Sequence, residues 1–433
     1  MATSILEAGL PETPGQKSQG QESWSEACLV AGLPILDAHN TVHGYELLCR
    51  GGFDSPLPAA TEPAGKEQAP GQSAGKFLGQ SLGQSMDRLT RGLSFFIPRT
   101  ANSLVSSGVI DLPTNRTVIQ IAAGSEPTPE LVKACRKLKA AGYGLALEDY
   151  SGNSGILTEF ADYIKVDLAA YNTAARKELL VKVKTTSARL VAKNVETQEQ
   201  FRQARAEGFD LFEGYYFSRP QSQKDHRIPG NKLVHLEILE LIQNDPYDLH
   251  RLSQLVSCDP SLTFRLLRLV NSPICAVRQE VTSIQSALLL VGQEVFRRVA
   301  SVAIVSDLNA EQPAEVLRMA LVRSRFCELA ASLCELSHAE QYLIGMVSLF
   351  PAILGIRMDE LVQMLPLRQA ASDALQGKEI IEGALLRWMM AIERGDWIAC
   401  DAVAATYGLK QTVLIRHYDD AITWAETSLT SMA

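Results

Sequence analysis

No two cysteines of this 433-residue chain are spaced as CxxC, and no His/Cys cluster stands at zinc spacing. The eight cysteines (Cys28, Cys49, Cys135, Cys258, Cys275, Cys327, Cys334 and Cys400) are scattered, a pattern that predicts buried thiols in a reducing compartment. Also missing is any apolar run near the roughly 18 residues needed to span a bilayer. The N-terminus has no charged region followed by an apolar stretch. A cytoplasmic protein without membrane contact is expected. Nor is there a basic excess: 41 Lys and Arg against 49 Asp and Glu leave a net charge of −8, which disperses a soluble protein and offers no footprint for nucleic acid.

The length exceeds one typical domain of about 100–200 residues, and 46% hydrophobic content supplies more than one packed core. Residues 1–25 carry Pro, Gly, Gln, Ser and Glu with few large apolar side chains, so a disordered tail is expected there. A second such stretch, Ser55 to Gly75, contains Pro56, Pro58, Pro63 and Pro70 and predicts a surface loop.

From Cys28 to Pro220, short apolar or β-branched runs alternate with amphipathic stretches. Leu29–Leu33, Gly92–Ile97, Val118–Ile121, Leu145–Leu147, Tyr163–Val166, Leu190–Ala192 and Leu211–Phe212 are predicted strands, with helices over Leu131–Ala140 and Gln198–Ala206. Such βα alternation implies a parallel sheet, and this many units imply an α/β fold closed as a TIM-like (β/α) barrel. After a polar stretch through Gly230 the pattern changes to 3.6-residue periodicity throughout, which predicts an all-α second domain. The expected division is a tail over 1–25, a barrel domain over 26–222 and a helical domain over 223–433.

Five short motifs follow one another in the first domain: Glu46-Leu47-Leu48-Cys49-Arg50, Leu147-Glu148-Asp149-Tyr150, Ile164-Lys165-Val166-Asp167, Val191-Ala192-Lys193-Asn194-Val195-Glu196 and Glu213-Gly214-Tyr215-Tyr216-Phe217. In that order they resemble the signatures of the EAL domain, a barrel that hydrolyses cyclic di-GMP. In the second domain Asp259-Pro260-Ser261-Leu262-Thr263, Leu266 to Ser272, Ile284 to Leu288 and Val291-Gly292 resemble the HDOD domain, a helical relative of HD hydrolases. Glu328, Gly345, Leu365-Pro366-Leu367 and Glu393 to Trp397 are similar to the helical tail of YuxH-like EAL–HDOD signalling proteins.

Two-metal phosphodiester hydrolysis needs several carboxylates converging on Mg²⁺ or Mn²⁺, because hard cations prefer oxygen and the attacking water must be acidified. The resemblance implies Glu46 and Asp149 as metal ligands, Arg50 as a phosphate contact, Lys165 as an aid to water or phosphate and Glu196 as an outer acidic partner. It also exposes departures. Pro98 stands where the family has a metal-binding Asn, and Gln120 where it has a Glu. Glu148 replaces an Asp, Lys193 replaces the general base, and Glu213 replaces a Gln. General-base catalysis alone is worth about 10²–10⁴-fold, and a Lys repels a dication. The expectation is therefore a degenerate, non-catalytic signalling protein without a metal cofactor, acting through contact with unknown signalling proteins. A receptor for cyclic di-GMP or a weak metal-dependent cyclic di-GMP phosphodiesterase is the alternative. None of the chain's seven histidines is followed by Asp, which removes the usual HD metal pair from the helical domain, and His235 and His338 are expected to be ordinary helix residues.

Overall fold

The computed structural model describes residues 30–50, 87–106, 112–151, 155–183, 186–219, 230–242, 249–257 and 259–432, the last without 273, 274, 276, 278, 280, 311 and 366. The expected tail over 1–25, the loop over 55–75 and the domain boundary at 222/223 lie outside the described residues.

Eight strands close a barrel in the order β1 to β8. They are β1 (Val30–Asp37), β2 (Val42–Cys49), β3 (Ser94–Pro98), β4 (Thr117–Ala122), β5 (Gly144–Glu148), β6 (Tyr163–Asp167), β7 (Arg189–Lys193) and β8 (Leu211–Glu213). The sheet is not wholly parallel as expected: β1 runs antiparallel to both neighbours, β2 and β8. It is joined to β2 by a tight turn in which Asp37 Oδ1 accepts from His39 N and Thr41 N. β2 was not among the predicted strands, because Gly44 and Glu46 break up its apolar run.

Side chains alternate between the two faces of each strand. Phe96, Val118, Ala146, Val191 and Leu211 form an inner apolar layer with Ile35, against which Tyr163 packs. Two residues further along each strand the same inward face presents Pro98, Gln120, Glu148, Lys193, Glu213 and Lys165. The barrel therefore has an apolar floor and a polar mouth at the carboxyl ends of its parallel strands. The opposite faces, with Phe95, Ile97, Ile119, Ile121, Leu145, Leu147, Ile164 and Val166, join the outer core. Helices Pro129–Ala140, Thr173–Val183 and Gln198–Glu207 cover that surface. The last begins with a capping box between Thr197 and Gln200 and ends on Gly208 at φ 100°.

From Gly230 onward every described element is helical. Gly292, at φ 77°, interrupts the helix Ile284–Leu308. Within the barrel no helix lies between β1 and β2, and the outer face of that hairpin is covered from the helical region instead. Tyr45 and Leu47 are buried, and Tyr45 Oη donates to Glu315 Oε2 at 2.9 Å. Arg318 ties this contact together through Glu315 at 3.1 Å, Glu426 at 2.6 Å and Leu89 O at 3.3 Å. One contiguous apolar cluster runs from Leu47 and Phe95 to Trp388 and Ile422.

Among the described residues no helix is long and apolar enough to cross a membrane. Cys135, Cys275, Cys327, Cys334 and Cys400 are free thiols as expected, whereas Cys49 is disulfide-bonded, contrary to the reading of scattered thiols.

Candidate functional site

Lys165 is fully buried in the barrel mouth, where its ammonium meets Glu46 Oε2, Gln120 Oε1 at 2.7 Å and Glu213 Oε2 at 2.5 Å. Burial opposes its charge, but Glu213 and Glu46 outweigh that and raise its pKa. Across the mouth Lys193 bonds Glu148 Oε1 and lies 3.1 Å from Asp149 Oδ1. Burial works against its charge too, and Glu148 more than offsets it. Four carboxylates thus face two ammonium groups.

A proton relieves part of the excess. Burial would raise both buried glutamates; the Lys165 charge instead holds Glu46 down at about 2, while Glu213, desolvated and facing ionised Glu46, rises to about 8. At neutral pH the Glu46–Glu213 pair shares one proton. An acid whose folded pKa is raised keeps a proton the unfolded chain has released, so its contribution is present at low pH and fades between the unfolded value and about 8. Stability should accordingly decline from about pH 5 to 8, and Glu213→Gln, which cannot ionise, should flatten that decline in urea melts. A parallel decline in both proteins would place Glu213 outside this balance.

The remaining expected residues surround this centre. Asp149 and Asn194 adopt left-handed backbone, φ 54° and 58°, where the strand-end loops begin, a conformation that Asn and Asp tolerate better than most residues. Asn194 Nδ2 donates to Asp167 Oδ2 at 3.0 Å, and Arg219 pairs with Glu196. Pro98 is paired in register with Gln120. Arg50 points elsewhere: its guanidinium bonds Asp401 Oδ2 and Gln411 Oε1 of the helical region, both at 2.8 Å.

Glu46, Glu148, Asp149 and Glu213 are the hard oxygen donors that Mg²⁺ or Mn²⁺ prefers. Glu213 Oε2, although close to Lys165, is buried without an aligned hydrogen bond, and Gln120 Nε2 has none either. Four carboxylates against two ammonium groups leave an excess of negative charge in the mouth, which fits a site that a cation would complete, so the residues present suit the metal.

The helical region holds a cluster that reading along the chain missed. His235 Nε2 lies 3.1 Å from Asp259 Oδ2 and its Nδ1 3.4 Å from Asp307 Oδ2. The ligand atoms of these three all lie within 4.8 Å of one another, close enough to share a cation. Arg265 also pairs with Asp307, and Asp259 caps a helix through Leu262 N at 3.0 Å. No local spacing signals the trio, because its members come from three helices.

A family model for the EAL domain matches residues 33–220 and one for the HDOD domain matches residues 228–348. The chain is 30% identical over 393 residues, 89% of each chain, to "Cyclic di-GMP phosphodiesterase CdgJ" of Vibrio cholerae. It is 28% identical over 382 residues to "Uncharacterized protein YuxH" of Bacillus subtilis, covering 86% of this chain and 92% of that one. Among solved structures, the calcium and cyclic di-GMP complex of Klebsiella pneumoniae BlrP1 is 21% identical, covers 45% of this chain and 55% of that one, and has a TM-score of 0.34. The match to the EAL domain and to a relative named as a phosphodiesterase overturns three expectations: a non-catalytic role, the absence of enzyme activity and the absence of a metal cofactor. The error lay in weighing Pro98, Gln120 and Lys193 above the oxygen donors that remain in the mouth.

Proposed function

The chain belongs to the EAL–HDOD family, and on that premise we propose that it is a metal-dependent cyclic di-GMP phosphodiesterase of low turnover. The observation that carries this reading is that the phosphodiesterase of Vibrio cholerae shares both domains over nearly the whole of each chain.

Glu46, Glu148, Asp149 and Glu213 would hold Mg²⁺ or Mn²⁺, which when bound polarises the phosphodiester and acidifies water. Lys165 fixes the orientation of Glu46 and Glu213 from below. Lys193 competes with the cation for Glu148 and Asp149, and this competition is the reason for slow turnover. Purified protein given cyclic di-GMP should release the linear dinucleotide in Mn²⁺, and Glu46→Ala should abolish the release. A folded parent inert at every Mn²⁺ and Mg²⁺ concentration would refute the proposal.

Lys193 also stands in for a counter-ion. Removing one partner of a partly buried charge cluster leaves the others uncompensated, so Lys193→Ala should lose about 1–3 kcal/mol at neutral pH without metal. Lys193→Met, which keeps the stem, should lose nearly as much. Mn²⁺ should restore part of the loss in the variants and do less for the parent, since a cation can then take the vacated place. Thermal melts with and without Mn²⁺ decide this, and equal stability of all three proteins would show that Lys193 merely extends toward solvent.

A further inference from the structure

The helices Pro260–Val270, Ile284–Leu308, Ala314–Ala330 and Gln411–Met432 enclose a recess of about 340 Å³ that shares no lining residue with the barrel mouth. Its volume falls within the range of small-molecule sites, roughly 300–1,000 Å³. Leu269, Val295, Val299, Val302 and Trp424 give it apolar walls, and Arg298 and Arg325 enter from one side.

Both guanidiniums bind the same carboxylate, Glu328, at 3.0 and 2.6 Å. Two cations against one anion leave one positive charge. Glu328 is the most buried of the three, 7% exposed against 24% and 22% for the arginines, so the uncompensated charge faces the recess and its opening. Arg325 lies 5.9 Å from the centre of the Trp424 ring, and its Nε is buried with no hydrogen-bond partner. The nearby hydroxyls cannot neutralise it: those of Thr427 and Ser428 donate to Thr423 O and Trp424 O. A purely apolar occupant would leave the guanidinium charge without a counter-ion, and a cationic one would be repelled. An anionic head on an apolar body satisfies both the walls and the charge.

We propose that this recess binds a small amphiphilic anion, its head on Arg298 and Arg325 and its body against Leu269, Val295, Val299 and Val302. The site lies outside the barrel mouth and takes no part in the reaction assigned to it.

Calorimetric titration of the full-length protein with octanoate tests the proposal, with octylamine and octan-1-ol carrying the same chain with the opposite charge or none. Octanoate should bind saturably and more tightly than either control. Arg298→Met should weaken it about tenfold or more, the scale of one charge-assisted hydrogen bond, while Arg298→Lys retains part of the affinity. Val295→Phe, on the half-buried rim, should block the recess without removing charge. Melting temperatures near the parent's identify the variants that remain folded. Octan-1-ol bound as tightly as octanoate, octanoate binding indifferent to both Arg298→Met and Val295→Phe, or no saturable binding by the parent would each overturn the proposal.

Discussion

Lys165→Met is expected to destabilise the barrel by about 3–5 kcal/mol, the cost of stripping one partner from a buried ion cluster. Methionine fills most of the volume of the lysine stem, so packing changes little and the charge is what disappears. Glu46, Glu213 and Gln120 Oε1 then face one another without the ammonium they share. The sign of the pH dependence is a separate check. Lys165 has a raised pKa, so its contribution is fully present below the unfolded lysine value and fades only in strong alkali. The deficit of the variant at pH 7 comes instead from Glu46, which loses the charge that held it ionised. Lowering the pH toward 4 lets Glu46 take up a proton, and the gap between parent and variant should narrow. Urea melts at the two pH values measure it, and a loss under about 1 kcal/mol at both would mean that water, not Lys165, satisfies these carboxylates.

Gly214→Ala should be nearly as damaging, about 3 kcal/mol or more, for two reasons that add. Gly214 has φ 142°, which L side chains rarely adopt, and a Cβ there would lie 2.3 Å from Val195 O and 2.7 Å from Val195 N. Both obstacles are backbone and cannot swing aside. Gly208→Ala provides the comparison: φ is 100°, but nothing stands within 4 Å of the added carbon, so only the backbone term of about 1 kcal/mol applies. The difference in melting temperature between the two variants isolates the close approach. If they melt together, the β7 and β8 ends separate freely. Turnover should fall with stability in Gly214→Ala, because Glu213 precedes the displaced residue and Tyr215, whose hydroxyl donates to Glu393 O, follows it.

Period-two alternation made much of the mouth legible in advance. Val118 and Gln120, Ala146 and Glu148, Val191 and Lys193, and Leu211 and Glu213 are each two residues apart on one strand face, so an apolar residue in the floor fixes a polar one above it. The helix Gln411–Met432 is equally legible: Leu414, Tyr418, Ala421, Ile422 and Ala425 are buried at helical spacing along one face. What no local pattern could convey is long-range pairing. Arg50 meets Asp401 and Gln411 through tertiary contact alone, and this exposed contact is worth about 0–1 kcal/mol. The reversed direction of β1 was hidden for a related reason, since a strand's polarity relative to its neighbours depends on the connection and not on its composition. The chemical misreading had a different origin: substituted positions were counted singly, whereas a metal site is judged by the donors that meet in space.

The hairpin of β1 and β2 lacks a helix of its own, and the layer that covers Tyr45 and Leu47 comes from the far end of the chain. In thermodynamic terms the barrel borrows a wall. Glu46 belongs to that hairpin, so the positioning of one edge of the mouth and the docking of residues 314–432 share one folding free energy. Any ligand that binds only the closed mouth adds RT ln(1 + [L]/Kd) to that shared quantity. Occupancy at one end is then felt as added rigidity at the other, a form of communication that needs neither a hinge nor a change of shape.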